Sequence, residues 1–277
     1  MHDKTLICQL IVKFMTPKGY MPLALFLLPG RVEAQAPYPS LESVSVSQQM
    51  VVVTTKDWEG SDGVMQRFER KEHGWQAAGP ALPVVVGRGG LGWGRGWHPL
   101  PQPGPQKKEG DGRSPAGIYH LSYAFGYAPP DAVRAIKLPY VQCIQTLECV
   151  DDTNSTSYNI IVDRRSVKEP DWKSSEKMLM SDDEYRLGVF VEQNSFPSVP
   201  GAGSCVFMHI WKGPGKATSG CTAMSLGAME SLLAWLDPQY NPILVQLPQT
   251  EYQRRQKEWR LPRMELSNAP PATQKDR

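Results

Sequence analysis

Apolar residues cluster in short runs along the chain, at residues 51–55, 82–86, 117–122, 159–162, 187–192, 205–211 and 242–247. Turn-forming residues separate the runs at strand-like intervals, which favours a mostly β domain. Residues 64–70 read as a further strand. Two segments depart from the pattern. Residues 172–180, carrying Glu176, read as a helix. Residues 224–236 place Leu226, Met229, Leu233 and Leu236 at helical spacing, with Pro238 beyond their end. There is no internal repeat and no heptad run.

The pattern divides the chain into a segment at residues 1–36, a lead at 37–48, a main domain at 49–250 and a tail at 251–277. The tail is charged, then rich in Pro, Asn and Gln, and is expected to be largely disordered. The first segment reads as a signal peptide. Lys4, Lys13 and Lys18 precede the apolar run at 21–28, and Ala34-Gln-Ala36 supplies a small-x-small cleavage site. The run is too short to span a bilayer, so no stable membrane span is expected after its removal. Met15 and Met21 are alternative starts.

Charge adds little beyond this. The full chain carries a formal net charge of +2, and without residues 1–36 it has 26 Lys and Arg against 26 Asp and Glu. A balanced chain gives no reason to expect a nucleic-acid partner. The glycine series at residues 87–97 invites a phosphate-loop reading. It lacks the Gly-Lys-Ser/Thr ending and is followed by no helical pattern, so it reads as a tight connector with Trp93 and Trp97 packed on the sheet. No nucleotide or other cofactor is expected.

Of five cysteines, Cys8 would leave with the signal. Cys143 and Cys149 enclose five residues and are expected to bridge in an oxidising compartment, the alternative being two free thiols in a loop. Asp151 and Asp152 then read as a turn beside that bridge. No Cys-x-x-Cys pair occurs, so no metal site is expected. Cys205, four residues before His209, reads as core on the same strand face. His73, His98 and His120 have no Cys or Ser motif beside them and read as ordinary polar residues.

The most informative stretch runs from His209 to Cys221. It sets an imidazole twelve residues before a thiol, with a Gly/Pro-rich loop between and Gly220 directly before the thiol. A thiol becomes a useful nucleophile when a neighbouring base takes its proton, and backbone amides beside it can hold an oxyanion. His209 is therefore expected to bring the Cys221 pKa below the free value near 8.5.

Thr218-Ser219-Gly220-Cys221 following a His resembles the signature of the YkuD-type L,D-transpeptidase catalytic domain. Ser114-Pro-Ala-Gly-Ile-Tyr119 resembles that family's upstream strand. Glu109-Gly-Asp-Gly-Arg113, Cys149-Val-Asp-Asp152, Ser157-Tyr-Asn159, Gly203-Ser-Cys205 and His209-Ile-Trp211 are similar to pieces found in exported bacterial members. Together they cover roughly residues 83–247. The resemblance implies a mostly β, YkuD-like β-sandwich catalytic domain with a few short helices, placed at 49–250. It implies cysteine acyl transfer on peptidoglycan stem peptides in the periplasm or cell wall, with a part in wall biogenesis and cell shape. A thiolate attacks the carbonyl of the third stem residue and expels the terminal D-Ala. An amine then takes the acyl group, forming a 3–3 cross-link or a related product.

Carried over by the resemblance, Cys221 is the nucleophile and His209 the general base and acid. The backbone carbonyl of Ile210 orients the imidazole, and the amides of Gly220 and Cys221 form the oxyanion hole. Thr218 and Ser219 either bond the loop or touch substrate. Many members carry Arg two residues after the Cys, where this chain has Ala223. A substrate carboxylate then needs another cation, for which Arg113, Lys212 and Lys216 are candidates. The His-to-Cys spacing is also shorter than in many relatives, which changes the lid over the site. Two other readings keep these residues: an L,D-carboxypeptidase or hydrolase using water as acceptor, and a non-catalytic wall-binding relative.

Overall fold

The computed structural model describes residues 44–195 and 197–264. The run Met50-Val-Val-Val53 lies in β1 (Gln49–Thr55), where every residue is buried. This strand pairs in parallel with β14 (Ile243–Pro248) and antiparallel with β2 (Asp62–Lys71). From β14 the ladder passes through β6 (Ser114–Gly126), β11 (Leu187–Val191), β12 (Phe207–Ile210), β13 (Thr222–Met224) and β4 (Leu82–Val85), and β4 returns to β2. The pairing closes on itself, which removes free edges that an open sheet would present. β3 (Gly74–Ala77) extends from β2, while β5 (Leu91–Trp93) and β7 (Tyr140–Gln142) join the two ends of the long β6. A separate three-stranded sheet has the order β10 (Ser175–Lys177), β8 (Leu147–Val150), β9 (Ile161–Asp163). Among the described residues the architecture is mostly β, as expected, with short α-helices.

Two apolar clusters hold these layers. The larger joins β1, β6 and β14 to α1 (Leu226–Trp235), whose Ala228, Met229, Leu232 and Leu233 are buried. Burying each of the larger aliphatic side chains is worth about 1.5–3 kcal/mol. The helix starts where the Ser225 hydroxyl accepts the Ala228 amide at 3.3 Å, satisfying a first-turn donor. The smaller cluster joins the closed ladder to the three-stranded sheet through Phe125, Leu147, Met178, Tyr185, Phe190 and Phe207, and Cys221 lies within it. Its rings meet edge to face, Phe125 on Phe207 at 5.1 Å and Tyr185 on Phe207 at 5.5 Å.

Several expectations are corrected. The expected Cys143–Cys149 bridge does not form. Cys149 on β8 bonds to Cys205, with their Cα atoms 5.9 Å apart, and ties the small sheet to the segment leading into β12. Cys143 follows β7, gives its amide to Gly126 O at 2.7 Å, and remains a free thiol in the smaller cluster. Sequence spacing measured only the local loop, whereas the bond spans 56 residues. Cys205 itself lies before β12 with φ of +52°, outside regular strand geometry.

The helix expected at 172–180 is instead strand β10, paired antiparallel to β8. A period of two wins there. Ser175 and Lys177 reach the Glu148 carboxylate, while Glu176 between them faces Tyr185. Nor is the tail disordered from residue 251. Helix α2 (Gln249–Arg255) buries Tyr252, and Trp259 and Leu261 close against the larger cluster. Tyr252 fastens this turn by donating to Pro262 O at 2.8 Å. The expected signal peptide, residues 37–43 of the lead and tail residues 265–277 lie outside the described residues.

The Gly/Trp connector packs as expected, with Trp93 buried in β5 and Trp97 stacked on His120 at 5.4 Å. His98 is more than a surface polar residue. Its buried ring accepts the Ile118 amide at 3.2 Å and occupies the space beside Gly117, where φ is +144° and a Cβ would come within 2.1 Å of the imidazole. The glycine of Ser114-Pro-Ala-Gly117 is required by that contact.

Candidate functional site

β12 and β13 are parallel neighbours, with His209 opposite Ala223 and Met208 opposite Thr222. Parallel strands need a crossover, and residues 211–221 supply it as a loop. The crossover returns Cys221 to the mouth of β13, beside the strand that carries His209. Both side chains line one cavity of about 510 Å³.

The loop ahead of Cys221 is pinned at each residue type the motif contains. Thr218 is held between the Val86 carbonyl and the Arg88 amide, at 3.0 and 2.9 Å. Its hydroxyl donates to Cys221 O at 2.6 Å and accepts the Gly220 amide at 3.1 Å. The Ser114 hydroxyl donates to the same Cys221 carbonyl at 2.8 Å and accepts the Gly87 amide at 2.8 Å. Two hydroxyls distant in sequence thus converge on one peptide, coupling the β6 motif to the cysteine motif. Gly220 has φ of +154°, and a Cβ there would meet Arg113 O at 3.3 Å. The Gly220 amide is engaged by Thr218 in this arrangement.

His209 is 3% exposed and its Nδ1 lies 2.8 Å from Ile210 O. A carbonyl only accepts, so Nδ1 carries the proton and Nε2 keeps its lone pair. The Tyr185 ring meets the imidazole edge on at 5.1 Å. Burial pushes the imidazole down to about 4, against the opposing pull of the Ile210 carbonyl. The Cys221 sulfur accepts the Phe207 amide at 3.3 Å and directs its S–H toward Cys205 O at 3.7 Å. Burial, and then the negative charge of Glu176, push this thiol up to about 12, with the Phe207 amide, the Tyr185 hydroxyl and Lys107 acting in the other direction. The resting pair is therefore a neutral thiol and a neutral imidazole. The expected lowering of the thiol below its free value is absent, because burial disfavours the charged form of each group.

Charged groups of both signs line the cavity: Arg88, Lys107, Lys212 and Lys216 against Glu109, Asp151, Glu176 and Glu184. Glu176 accepts a short hydrogen bond from the Tyr185 hydroxyl, and burial pushes its carboxyl up to about 7. Glu109 accepts from Tyr158 at 2.5 Å and Ser204 at 2.8 Å. Lys212 pairs with Glu184 at 2.9 Å, and Ser219 accepts from Arg88 at 3.1 Å.

Among the expected site residues, Cys221, His209, Gly220, Thr218, Ser219 and Lys212 all line this cavity, as does Lys216. Arg113 does not. Its guanidinium donates to Trp58 O, Leu91 O and the Glu59 carboxylate, which turns it away from the thiol. Sequence reasoning missed Lys107, Tyr185 and Glu176. Lys107 sat unremarked in a polar turn next to a quoted motif, and Tyr185 and Glu176 carried no spacing signal. Among the described residues no group of three or more His, Cys, Asp or Glu side chains is arranged to hold a metal ion.

A family model described as the YkuD L,D-transpeptidase catalytic domain matches residues 65–245. That span runs from within β2 into β14 and contains every cavity residue named above. Comparison with curated proteins and with solved structures gave no match.

Proposed function

The chain belongs to the YkuD family of L,D-transpeptidase catalytic domains, and on that premise we propose that it is an exported cysteine acyltransferase acting on peptidoglycan stem tetrapeptides. The observation that carries this reading is the placement of Cys221 and His209 on the lining of one cavity, with the imidazole Nδ1–H bonded to Ile210 O. That bond leaves Nε2 as the proton acceptor. A backbone carbonyl orients the ring without adding a full charge.

In the proposed mechanism the Cys221 sulfur attacks the carbonyl between the third stem residue and the terminal D-Ala. The thiol proton passes to His209 Nε2 as the C–S bond forms, so neither group needs to be charged in the resting site. The Cys221 amide is the oxyanion donor we assign. The Gly220 amide joins it when Thr218 Oγ1 releases it. Collapse breaks the C–N bond, and the imidazolium returns its proton to the leaving D-Ala amine. An acceptor amine then attacks the thioester, gives a proton to His209, and frees the thiol. Thr218 serves the loop, and Ser219 and Lys212 flank the substrate path.

The export part of the proposal rests on the charged and apolar pattern of residues 1–36. Among the described residues no helix is long and apolar enough to cross a membrane. Incubating the protein with a disaccharide tetrapeptide and identifying products by mass tests the chemistry. A 3–3 linked dimer with release of D-Ala is expected, and a free tripeptide as the sole product would replace the amine acceptor with water. Cys221→Ala is expected to form neither product and to keep the fold; unchanged product would remove Cys221 as nucleophile.

A further inference from the structure

We propose that Lys107 supplies the fixed positive charge that supports the anion formed at Cys221. This proposal rests on the reading of Cys221 as the nucleophile.

A lysine side chain only 5% exposed is costly unless its ammonium is paired. Lys107 Nζ donates to Asp111 Oδ1 at 2.6 Å and to Lys108 O at 2.8 Å, which engages two of its three protons. Asp111 is itself fixed, accepting the Arg113 amide at 2.9 Å and the Lys108 amide at 2.7 Å. The stem packs against Gly203, where a Cβ would come within 3.0 Å of Lys107 Cε. The ammonium is therefore held in one position before any ligand enters.

That position is beside the Gly220–Cys221 peptide. A Cβ on Gly220 would lie 3.9 Å from Lys107 Nζ, and Lys107 lines the same cavity as Cys221 and His209. The other cations do different work. Ala223 is fully buried between His209 on β12 and Val85 on β4 and carries no charge. Arg113 is turned to Glu59, Arg88 is bonded to Ser219, and Lys212 is paired with Glu184 on the exposed rim. Lys216 also lines the cavity.

The charges facing the thiol from the packed elements decide the balance. Glu176 on β10 raises the thiol's pKa, and Lys107 lowers it, as does the Tyr185 hydroxyl, whose proton goes to Glu176. His209 stands on the neighbouring strand, and Glu109, Asp151 and Glu184 complete the acidic wall. Asp111 neutralises part of the Lys107 charge. The two residues should therefore act on Cys221 in opposite directions, whereas a pure turn brace would lose function in the same direction from either side.

The test is the rate of Cys221 alkylation at a fixed pH near neutrality, read by peptide mapping to separate it from Cys143, together with the rate of acylation by a carbapenem. Lys107→Met is expected to slow both about tenfold, through a lower thiolate population. Lys107→Arg is expected to recover most of that loss. Asp111→Asn is expected to alkylate faster than wild type. A folded Lys107→Met protein with the wild-type alkylation rate overturns the proposal. So does an Asp111→Asn protein that alkylates more slowly; this second variant decides the matter if Lys107→Met does not fold. Wild-type protein that alkylates at Cys221 but never acylates would overturn the functional reading instead, a result distinct from either rate.

Discussion

Glu148 and Glu176 are neighbours on paired strands, β8 and β10, yet the protein treats their carboxyls in opposite ways. Glu148 is fully buried and accepts from Arg164 at 2.9 Å, Trp172 at 3.0 Å, Ser175 at 2.6 Å and Lys177. Burial raises its pKa, but those donors outweigh it and hold the group down at about 2. Glu176 faces the cavity with one hydroxyl donor, Tyr185, and burial carries it up to about 7. Donor count rather than burial sets the charge state. The first carboxylate is a structural node that organises the small sheet. The second leaves a group near neutrality beside a thiol, in the environment where a reacting centre is tuned.

The comparison can be broken from either side. The largest effect is expected on the cavity side, where Cys221→Ala removes acyl-enzyme formation completely and leaves the melting temperature close to wild type. A Tm fall of many degrees would mean that the thiol is a packing residue first. On the structural side, replacing Cys149 and Cys205 with Ser is expected to cost about 4 kcal/mol in a denaturant titration, because the bond closes a loop of 56 residues. Activity in the surviving folded fraction should also fall, since the bond ties the wall carrying Glu176 to the segment before β12. Glu148→Gln is expected to cost about 3 kcal/mol, toward the lower limit for a broken buried pair because Arg164 and Lys177 are half exposed.

The smallest effect sharpens the contrast through pH. Glu148 has a folded pKa below its unfolded value, so its contribution is present above about pH 4.5 and is lost as pH falls toward 2. Glu176 has a folded pKa above its unfolded value. The folded state binds the extra proton, and stability from this group falls as pH rises from about 4.5 through 7. His209, lowered to about 4, adds a term that is lost as pH drops below 6.5. Stability curves for Glu148→Gln and Glu176→Gln should therefore lose opposite limbs, the acid slope in the first and the neutral slope in the second. Matching curves would erase the distinction.

The site was more legible than the fold around it. His209, Cys221, Gly220 and Ser114 stand in local motifs, and the structure puts the first three on one cavity and Ser114 directly behind the cysteine peptide. Helix α1 was visible because its apolar spacing and its stop signal are local. Residues 172–180 misled because a three-residue strand made of Ser, Glu and Lys has no apolar period, and only β8 and its buried Glu148 make it a strand. Arg113 belonged to the right motif and the wrong side of the chain. Lys107 was overlooked because a lysine in a polar turn is ordinarily solvated, and nothing local says that Asp111 and Gly203 enclose it.

From sequence alone came the β class, the placing of α1, the thiol and its imidazole, and the family to which they belong, because each depends on residue type and short-range spacing. Tertiary structure decided which cysteines bond, which way each charged side chain turns, and that the thiol and imidazole rest uncharged. Those outcomes depend on burial and on partners contributed by distant strands. Closure of the ladder, the crossover after His209 and the packing of the small sheet bring those partners together.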